Sequence, residues 1–194
     1  TAADNLGNKA SRAITFEVNT QVPATQSFEV TNAMSIDGKS FTRETAPVIN
    51  IRFSEDENVQ VKKVMIGGVE KNPAAADTHT FTIAMPQSQD GIYDLEVIAA
   101  KEIGGGSFGA ANTYRHSIVI DSAPPSLQLA HQLKPEFTSE ESIVLEVIAT
   151  DSLSPINETL SKVVIESSGK LPREIALKKQ PSGRFTAPIS GSGI

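Results

Sequence analysis

The chain of 194 residues lacks cysteine and tryptophan, and it contains only two tyrosines. Without cysteine it can form no disulfide framework, no zinc finger and no thiol nucleophile. The disulfide-bonded type of animal immunoglobulin domain is also excluded, because its core needs two cysteines and a tryptophan. The stability of the fold must therefore come from apolar packing and strand pairing.

Two further features are missing. Lysine and arginine form no dense cluster and the formal net charge is −6, so we expect no nucleic-acid partner. No stretch approaches the roughly 20 apolar residues of a membrane helix, and the first residues lack the basic-then-apolar order of a signal peptide. We expect no membrane insertion, and we expect any export signal to lie outside this segment.

The sequence does contain short runs in which apolar and polar residues alternate, which is typical of half-buried antiparallel strands. Gly, Pro, Asn, Asp and Ser separate these runs, as in Asp37-Gly38 and Gly67-Gly68. Ile49, Ile51 and Phe53 should point inward. We expect Gly104–Gly106, with Ser107 and Phe108, to form the longest loop. The predicted strands are 12–18, 27–30, 48–53, 61–66, 80–85, 93–99 and 113–120. Seven strands in about 100 residues indicate a β-sandwich.

An internal repeat supports this organisation, because the same spacing recurs at several separate places. The matched segments are 14–23 with 116–125, 49–53 with 145–149, 63–66 with 162–165, and 81–82 with 185–186. We therefore predict an all-β chain of tandem immunoglobulin-like antiparallel β-sandwiches, one complete and two partial. Residues 1–22 would be the C-terminal strands of a preceding domain, 23–123 a complete sandwich, and 124–194 a sandwich that lacks its last strands.

A resemblance to a known family follows from the ends of the repeats. Thr1–Asn8, the alternating strand after it and the Pro-bearing linker resemble the closing signature of bacterial immunoglobulin-like repeats in large surface adhesins and secreted multidomain proteins. The segment Ile98–Pro125 keeps Asp121 and Pro124-Pro125, but Lys101–Gly106 replaces the expected Asp-x-x-Gly-Asn turn. The resemblance implies an extracellular or cell-surface location and a spacer, adhesive or accessory role.

Calcium is the cofactor that the sequence best supports, because Ca²⁺ binds six to eight hard oxygens and junctions between repeats can collect them. The candidate ligands are Asp4, Asn5, Asn8 and Asp121, together with the acidic loop Glu55–Glu57. Aspartate and asparagine are also favoured in turns because they cap their own backbone. We therefore expect no cofactor, and calcium binding is the alternative.

Catalysis is not expected, because no nucleophile elbow, zinc-binding helix or phosphate loop accompanies the three histidines. His116 corresponds to the inward-facing Ile14, and His79 and His131 fall at strand ends or linkers. Asp94 and Glu96 share one strand face, which the period-two spacing explains without acid–base chemistry. Phe108 or Tyr114 could instead present an aromatic contact to an unknown surface ligand.

These observations favour a non-catalytic stalk or adhesion segment of a larger surface or secreted protein. The alternative is an accessory module beside the catalytic domain of a secreted protease or glycosidase. A third hypothesis is assembly by strand addition, in which other domains of the parent protein or another chain complete the truncated sandwich.

Overall fold

The computed structural model describes residues 2–3, 9–10, 12–13, 21–133, 141–166 and 171–190. Every regular element in these ranges is a β-strand, which confirms the all-β prediction. No helix that is long and apolar enough to cross a membrane occurs in them. The strand predicted at 12–18 lies mostly outside the described residues.

The strands are short at the sheet edges and long in the central hairpin. In chain order they are β1 (Ala2–Ala3), β2 (Lys9–Ala10), β3 (Thr25–Val30), β4 (Ala33–Ile36), β5 (Lys39–Thr42), β6 (Val48–Phe53), β7 (Val59–Ile66), β8 (Val69–Lys71), β9 (Ala74–Ala75), β10 (Thr80–Ala84), β11 (Gly91–Gly104), β12 (Ser107–Ile120), β13 (Ser126–Leu129), β14 (Ser142–Thr150), β15 (Lys162–Ile165), β16 (Arg173–Ala176), β17 (Lys178–Lys179) and β18 (Phe185–Ser190).

Two of the sheets have the strand orders β3-β6-β10-β9 and β4-β5-β12-β11-β7-β8. These orders correspond to the two sheets of an immunoglobulin-like sandwich, in which the first, second, fifth and fourth strands form one sheet. The pairing of β5 with β12 is parallel, whereas the prediction was wholly antiparallel. The chain crosses from β3 to the other sheet through the β4–β5 hairpin, and this path leaves β5 running in the direction of β12.

Three smaller sheets have the orders β1-β2, β13-β14-β18-β17 and β15-β16. The last two repeat the beginning of the complete arrangement, because β14 and β18 correspond to β6 and β10, and β15 corresponds to β7. By their internal contacts, residues 1–29, 48–83 and 94–116 form one compact unit, and residues 30–47, 84–93 and 117–194 form a second. The domain boundaries after residues 22 and 123 stay predictions.

The core of the first unit follows the predicted alternation. Ile49, Ile51 and Phe53 are completely buried. The Phe53 ring contacts Phe81 edge-on at 6.1 Å and Tyr114 at 5.5 Å between ring centroids. Since Tyr114 belongs to β12 and Phe53 to β6, their contact packs the two sheets against each other, as in a sandwich.

The second unit contains a smaller apolar core. Leu145 and Val147 of β14 pack with Phe185 and Ala187 of β18. Partly buried apolar residues of β15 and β16 complete this cluster. The predicted match between 49–53 and 145–149 therefore places both segments on the inner face of a sheet.

The glycine-rich segment differs from its prediction as the longest loop. β11 ends at Gly104 and β12 begins at Ser107, so Gly105-Gly106 alone connects them. Both glycines have positive φ, +59° and +77°, which allows the tight two-residue turn whose twist matches that of the flanking strands. Ser107 and Phe108 are consequently strand residues.

Candidate functional site

Residues 21–24, which we call the first linker, are held by two side chains, one from a strand and one from a loop. Pro23 is fully buried, and the Tyr114 hydroxyl donates a hydrogen bond to its carbonyl oxygen. The Ala24 N–H donates to Glu57 Oε2 at 2.9 Å. Burial raises the pKa of Tyr114, so this phenol stays a hydrogen-bond donor at neutral pH.

Glu57 connects the first linker to β11. Its side chain lies almost entirely inside the protein, and Lys101 Nζ is 2.9 Å from its Oε1. A neighbouring bond, from Asn58 Nδ2 to Glu102 Oε2 at 2.7 Å, ties the same loop to the same strand. The acidic loop Glu55–Glu57, considered above as a calcium ligand, thus uses Glu57 as a structural anchor.

The segment 121–125, which we call the second linker, is held mainly by Asp90. Asp90 Oδ1 accepts hydrogen bonds from the Ser122 hydroxyl at 2.8 Å and the Ser122 N–H at 3.1 Å, while Oδ2 accepts the Ala123 N–H at 3.2 Å. The Ser122 hydroxyl and N–H hold the pKa of Asp90 below its usual value. At the start of this linker the Asp121 N–H donates to the Thr42 carbonyl at 2.9 Å.

Asp121, the first residue of the second linker, lines the same two cavities as Asp151. The Asp121 residue is only 9% exposed. The N–H groups of Ser154 and Leu153 lower the pKa of Asp151. Two cavities of about 660 and 390 Å³ share Asp121, Pro124 and Asp151 in their walls, so the second linker borders open space inside the second unit.

Of the calcium ligands predicted outside the acidic loop Glu55–Glu57, only Asp121 can be placed. Asp121 lies in the wall just described, whereas Asp4, Asn5 and Asn8 lie outside the described residues. Within the described ranges no three His, Cys, Asp or Glu side chains group as metal ligands. Because Ca²⁺ needs six to eight oxygens, the Asp121–Asp151 pair alone does not form a site, and calcium binding stays a prediction.

The histidines occupy structural positions. The His116 ring stacks on Phe28 at 5.3 Å, and burial lowers its pKa. His79 Nδ1 lies 3.4 Å from Asp77 Oδ1 and 3.5 Å from Thr78 Oγ1. Both neighbours are on the same ring nitrogen, whereas a nucleophile–base–carboxylate relay needs one on each.

The third histidine, and Glu96 from the predicted carboxylate pair, each contact an oppositely charged or hydrogen-bonding side chain. His131 Nε2 is 2.9 Å from Glu146 Oε2, an oxygen that Arg184 also contacts at 3.2 Å. On β11, Glu96 pairs with Arg115 at 3.0 Å across the hairpin. Glu146 and Glu96 therefore serve as side-chain partners of basic residues.

The two aromatic candidates differ in exposure. Tyr114 already donates a hydrogen bond to Pro23 and packs its ring against Phe53. Phe108 is 36% exposed, and Lys62 Nζ lies 5.2 Å from the centre of its ring. Phe108 is therefore the aromatic residue of this hairpin that remains open to a ligand.

Sequence reasoning missed Asp90 and Asp151. The local pattern holds no signal for either, because Asp90 and its partner Ser122 are 32 positions apart. Asp90 and Ser122 are brought together only because β12 pairs with β5 and β11.

Comparisons with known proteins add little to this geometry. No family model matches the chain, and no curated protein does. A solved structure of the Bacteroides ovatus mixed-linkage glucan utilization locus protein SGBP-B, in complex with a mixed-linkage heptasaccharide, aligns with a TM-score of 0.32 and 11% identity. The alignment covers 87% of this chain and 41% of that one, so this chain spans less than half of its length. At this TM-score the likeness supports no conclusion about function.

Proposed function

We propose that this chain is a non-catalytic structural segment, a stalk or spacer, of a larger surface or secreted protein. The observation that carries the proposal is that both linkers are fixed by side-chain hydrogen bonds. Glu57 and Tyr114 hold the first linker, and Asp90 holds the second. A spacer requires this, because its length is useful only if its connections do not bend freely.

The chemistry of the linkers supports the same role. Pro23 in the first linker and Pro124 and Pro125 in the second each restrict one backbone angle. Backbone N–H groups that donate to carboxylates lose further freedom, and charge-assisted bonds of this kind are stronger than neutral ones. Linkers with these properties behave as semi-rigid rather than random-coil connections.

The side chains that would carry catalysis are used for structure instead. Each histidine stacks on a ring or pairs with a carboxylate, and Glu57 and Glu96 are held by cations. The extracellular location belongs to the proposal and rests on the resemblance to bacterial surface repeats.

The absence of cysteine allows a direct test of linker stiffness. Arg52→Cys and Lys178→Cys introduce two exposed labelling sites, one on β6 and one on β17. Pulsed electron spin resonance then measures the distribution of distances between the two spin labels. We expect a narrow distribution in the parent and a broader one after Asp90→Ala, because three hydrogen bonds to the second linker are lost.

Asp56→Ala is the matched control, since Asp56 is an exposed aspartate for which the structure shows no hydrogen bond to either linker. It should leave the distribution unchanged. If Asp90→Ala stays as narrow as Asp56→Ala, the hydrogen bonds do not stiffen the chain and the spacer proposal loses its basis.

A further inference from the structure

The larger cavity beside the second linker has the size of a small-molecule binding site. Its volume is about 660 Å³, and pockets that bind small ligands usually enclose roughly 300–1,000 Å³. Its walls come from residues 121–125, from the loop of residues 151–161 and from Arg43. These wall segments all belong to the second unit, and they connect β12 to β13, β14 to β15 and β5 to β6. The cavity is therefore bordered by internal connections of the chain.

One part of the wall carries two carboxylates without a counter-ion. Asp121 is only 9% exposed, and its N–H donates to the Thr42 carbonyl. Asp151 Oδ1 accepts the N–H groups of Leu153 and Ser154 at 2.9 and 3.0 Å, which fixes this carboxylate in place. In the described part of the chain no basic side chain pairs with either aspartate. Because a buried carboxylate is normally paired with a positive charge, this wall is suited to a cation.

A positive charge lies in a different part of the same cavity. Asp121 and Asp151 line both the larger and the smaller cavity, whereas Arg43 lines only the larger one. The two carboxylates therefore lie in the wall that the cavities share, and Arg43 lies away from it. Arg43 is exposed and forms no ion pair with either aspartate. The cavity thus has an acidic part and a basic part that do not neutralise each other.

The rest of the wall is largely apolar. Pro124 and Pro155 contribute rings with a fixed backbone angle, and Ile156 adds a branched aliphatic side chain. A wall built on prolines has little conformational freedom to lose, so binding a ligand there costs less ordering. Ser154 and Ser161 also line the cavity, and their hydroxyls can donate or accept hydrogen bonds. These walls suit a ligand with an apolar body and a few polar groups.

We propose that this cavity binds a short peptide with free termini and apolar side chains, of about the size of a dipeptide. The ammonium group of the peptide binds Asp121 and Asp151, and its terminal carboxylate binds Arg43. Its side chains pack against Pro124 and Ile156. A zwitterion uses both signs of charge in the cavity, whereas a metal ion would leave Arg43 and the apolar walls without a role.

Calorimetric titration of the whole chain with the dipeptide leucyl-leucine tests the site. We expect saturable one-to-one binding. N-acetyl-leucyl-leucine lacks the ammonium group and leucyl-leucine amide lacks the carboxylate, so each should bind at least tenfold more weakly. These comparisons leave the protein unchanged, and their outcome does not depend on how a variant folds. Equal affinity for all three compounds, or no binding of leucyl-leucine at millimolar concentration, contradicts the proposal.

Two chain variants assign the charged groups. Asp121→Asn should bind leucyl-leucine at least tenfold more weakly and respond less than the parent to N-acetylation of the dipeptide. Arg43→Gln should respond less than the parent to amidation. Asp56→Asn and Arg52→Gln change exposed residues of the same types outside the cavity and should leave every affinity unchanged. If N-acetylation weakens binding to Asp121→Asn as much as to the parent, the ammonium group does not bind at Asp121 and the proposal is wrong.

Calcium distinguishes a peptide site from a metal site. We expect the affinity for leucyl-leucine to be the same with and without millimolar calcium chloride. Displacement of the dipeptide by calcium would show that the two aspartates serve a metal ion, and would overturn the proposal. The spin-label measurement of linker stiffness needs no ligand, so a failure here leaves the spacer proposal intact.

Discussion

Glu57 is a buried carboxylate with two partners, and its removal affects both. Glu57→Ala leaves the Lys101 ammonium and the Ala24 N–H without an acceptor. Unpaired buried polar groups are costly, but Lys101 is 27% exposed and water recovers part of the loss. We expect the free energy of unfolding to fall by about 1–3 kcal/mol, measured by urea denaturation.

Glu55→Ala provides the comparison in the same loop, since Glu55 is exposed. It removes the same charge without breaking the anchor, and surface changes of this kind usually alter stability by less than about 0.5 kcal/mol. If Glu55→Ala lowers the free energy of unfolding as much as Glu57→Ala does, the negative charge of the loop is responsible and not the contacts of Glu57 with Lys101 and Ala24.

His116 gives the fold a dependence on pH. Burial lowers its pKa from 6.5, so the unfolded chain takes up a proton at a higher pH than the folded one. This makes stability fall as the pH drops below 6.5, until the folded histidine also becomes protonated. His116→Phe keeps a ring against Phe28 and should flatten the stability profile between pH 7 and 5, measured by urea melts.

The exposed His131 allows a control for this effect. His131→Gln should retain the His116 part of the slope, because it leaves the stacked rings of His116 and Phe28 unchanged. If the stability of His116→Phe depends on pH in the same way as that of the parent, burial of the His116 imidazole is not the cause of the pH dependence.

At the level of elements, the sequence predicts strands in which apolar and polar residues alternate, but it does not predict strands whose inward side chains are polar. Val48–Phe53 was predicted with correct ends because every second residue is apolar and buried. β4 and β5 were missed, although their turn at Asp37-Gly38 was recognised and both turn residues have positive φ. In β5 the inward positions are Ser40 and Thr42, whose polar side chains break the apolar pattern.

The anchors of the linkers are the part of the site that sequence could not reveal. Asp121 was named as a candidate because it lies at a junction between repeats, and the structure places it at 9% exposure in a cavity wall that includes Asp151. Glu57 contacts Lys101 across 44 positions, and such a pair depends on strand register rather than on local spacing. The preference of acidic residues for turns does not distinguish the carboxylates that hold a linker from those that are simply exposed.

The central hairpin depends on a glycine whose role is steric. A Cβ at Gly109 would lie 3.2 Å from the carbonyl oxygen of Gln21 and 3.1 Å from Ile103 Cγ2. Gly109→Ala should therefore push the first linker away from β12 and cost about 1 kcal/mol. Gly91→Ala in the same hairpin would meet nothing closer than 3.8 Å and should be nearly neutral. Urea denaturation measures the free energy of unfolding of both variants. Equal losses of stability would show that the close approach at Gly109 does not cause the destabilisation.

At the level of the whole molecule, the two cores differ in how completely they exclude water. Ile49, Ile51 and Leu95 are 0% exposed, whereas Leu145 is 9% and Val147 7% exposed. Leu127 and Leu129, which pair with β14 in the sheet of this second core, are 66% and 48% exposed. Local unfolding needs less free energy where fewer apolar side chains are covered, so stability should differ along one chain.

We therefore expect amide hydrogen exchange to be slower in β6 and β11 than in β14 and β18. Mass spectrometry of peptic fragments resolves these strands separately. All four are hydrogen-bonded to neighbours on both sides, so pairing alone predicts equal protection, and a difference isolates the contribution of the core. Equal exchange would show that the smaller core is closed in solution despite its exposed leucines.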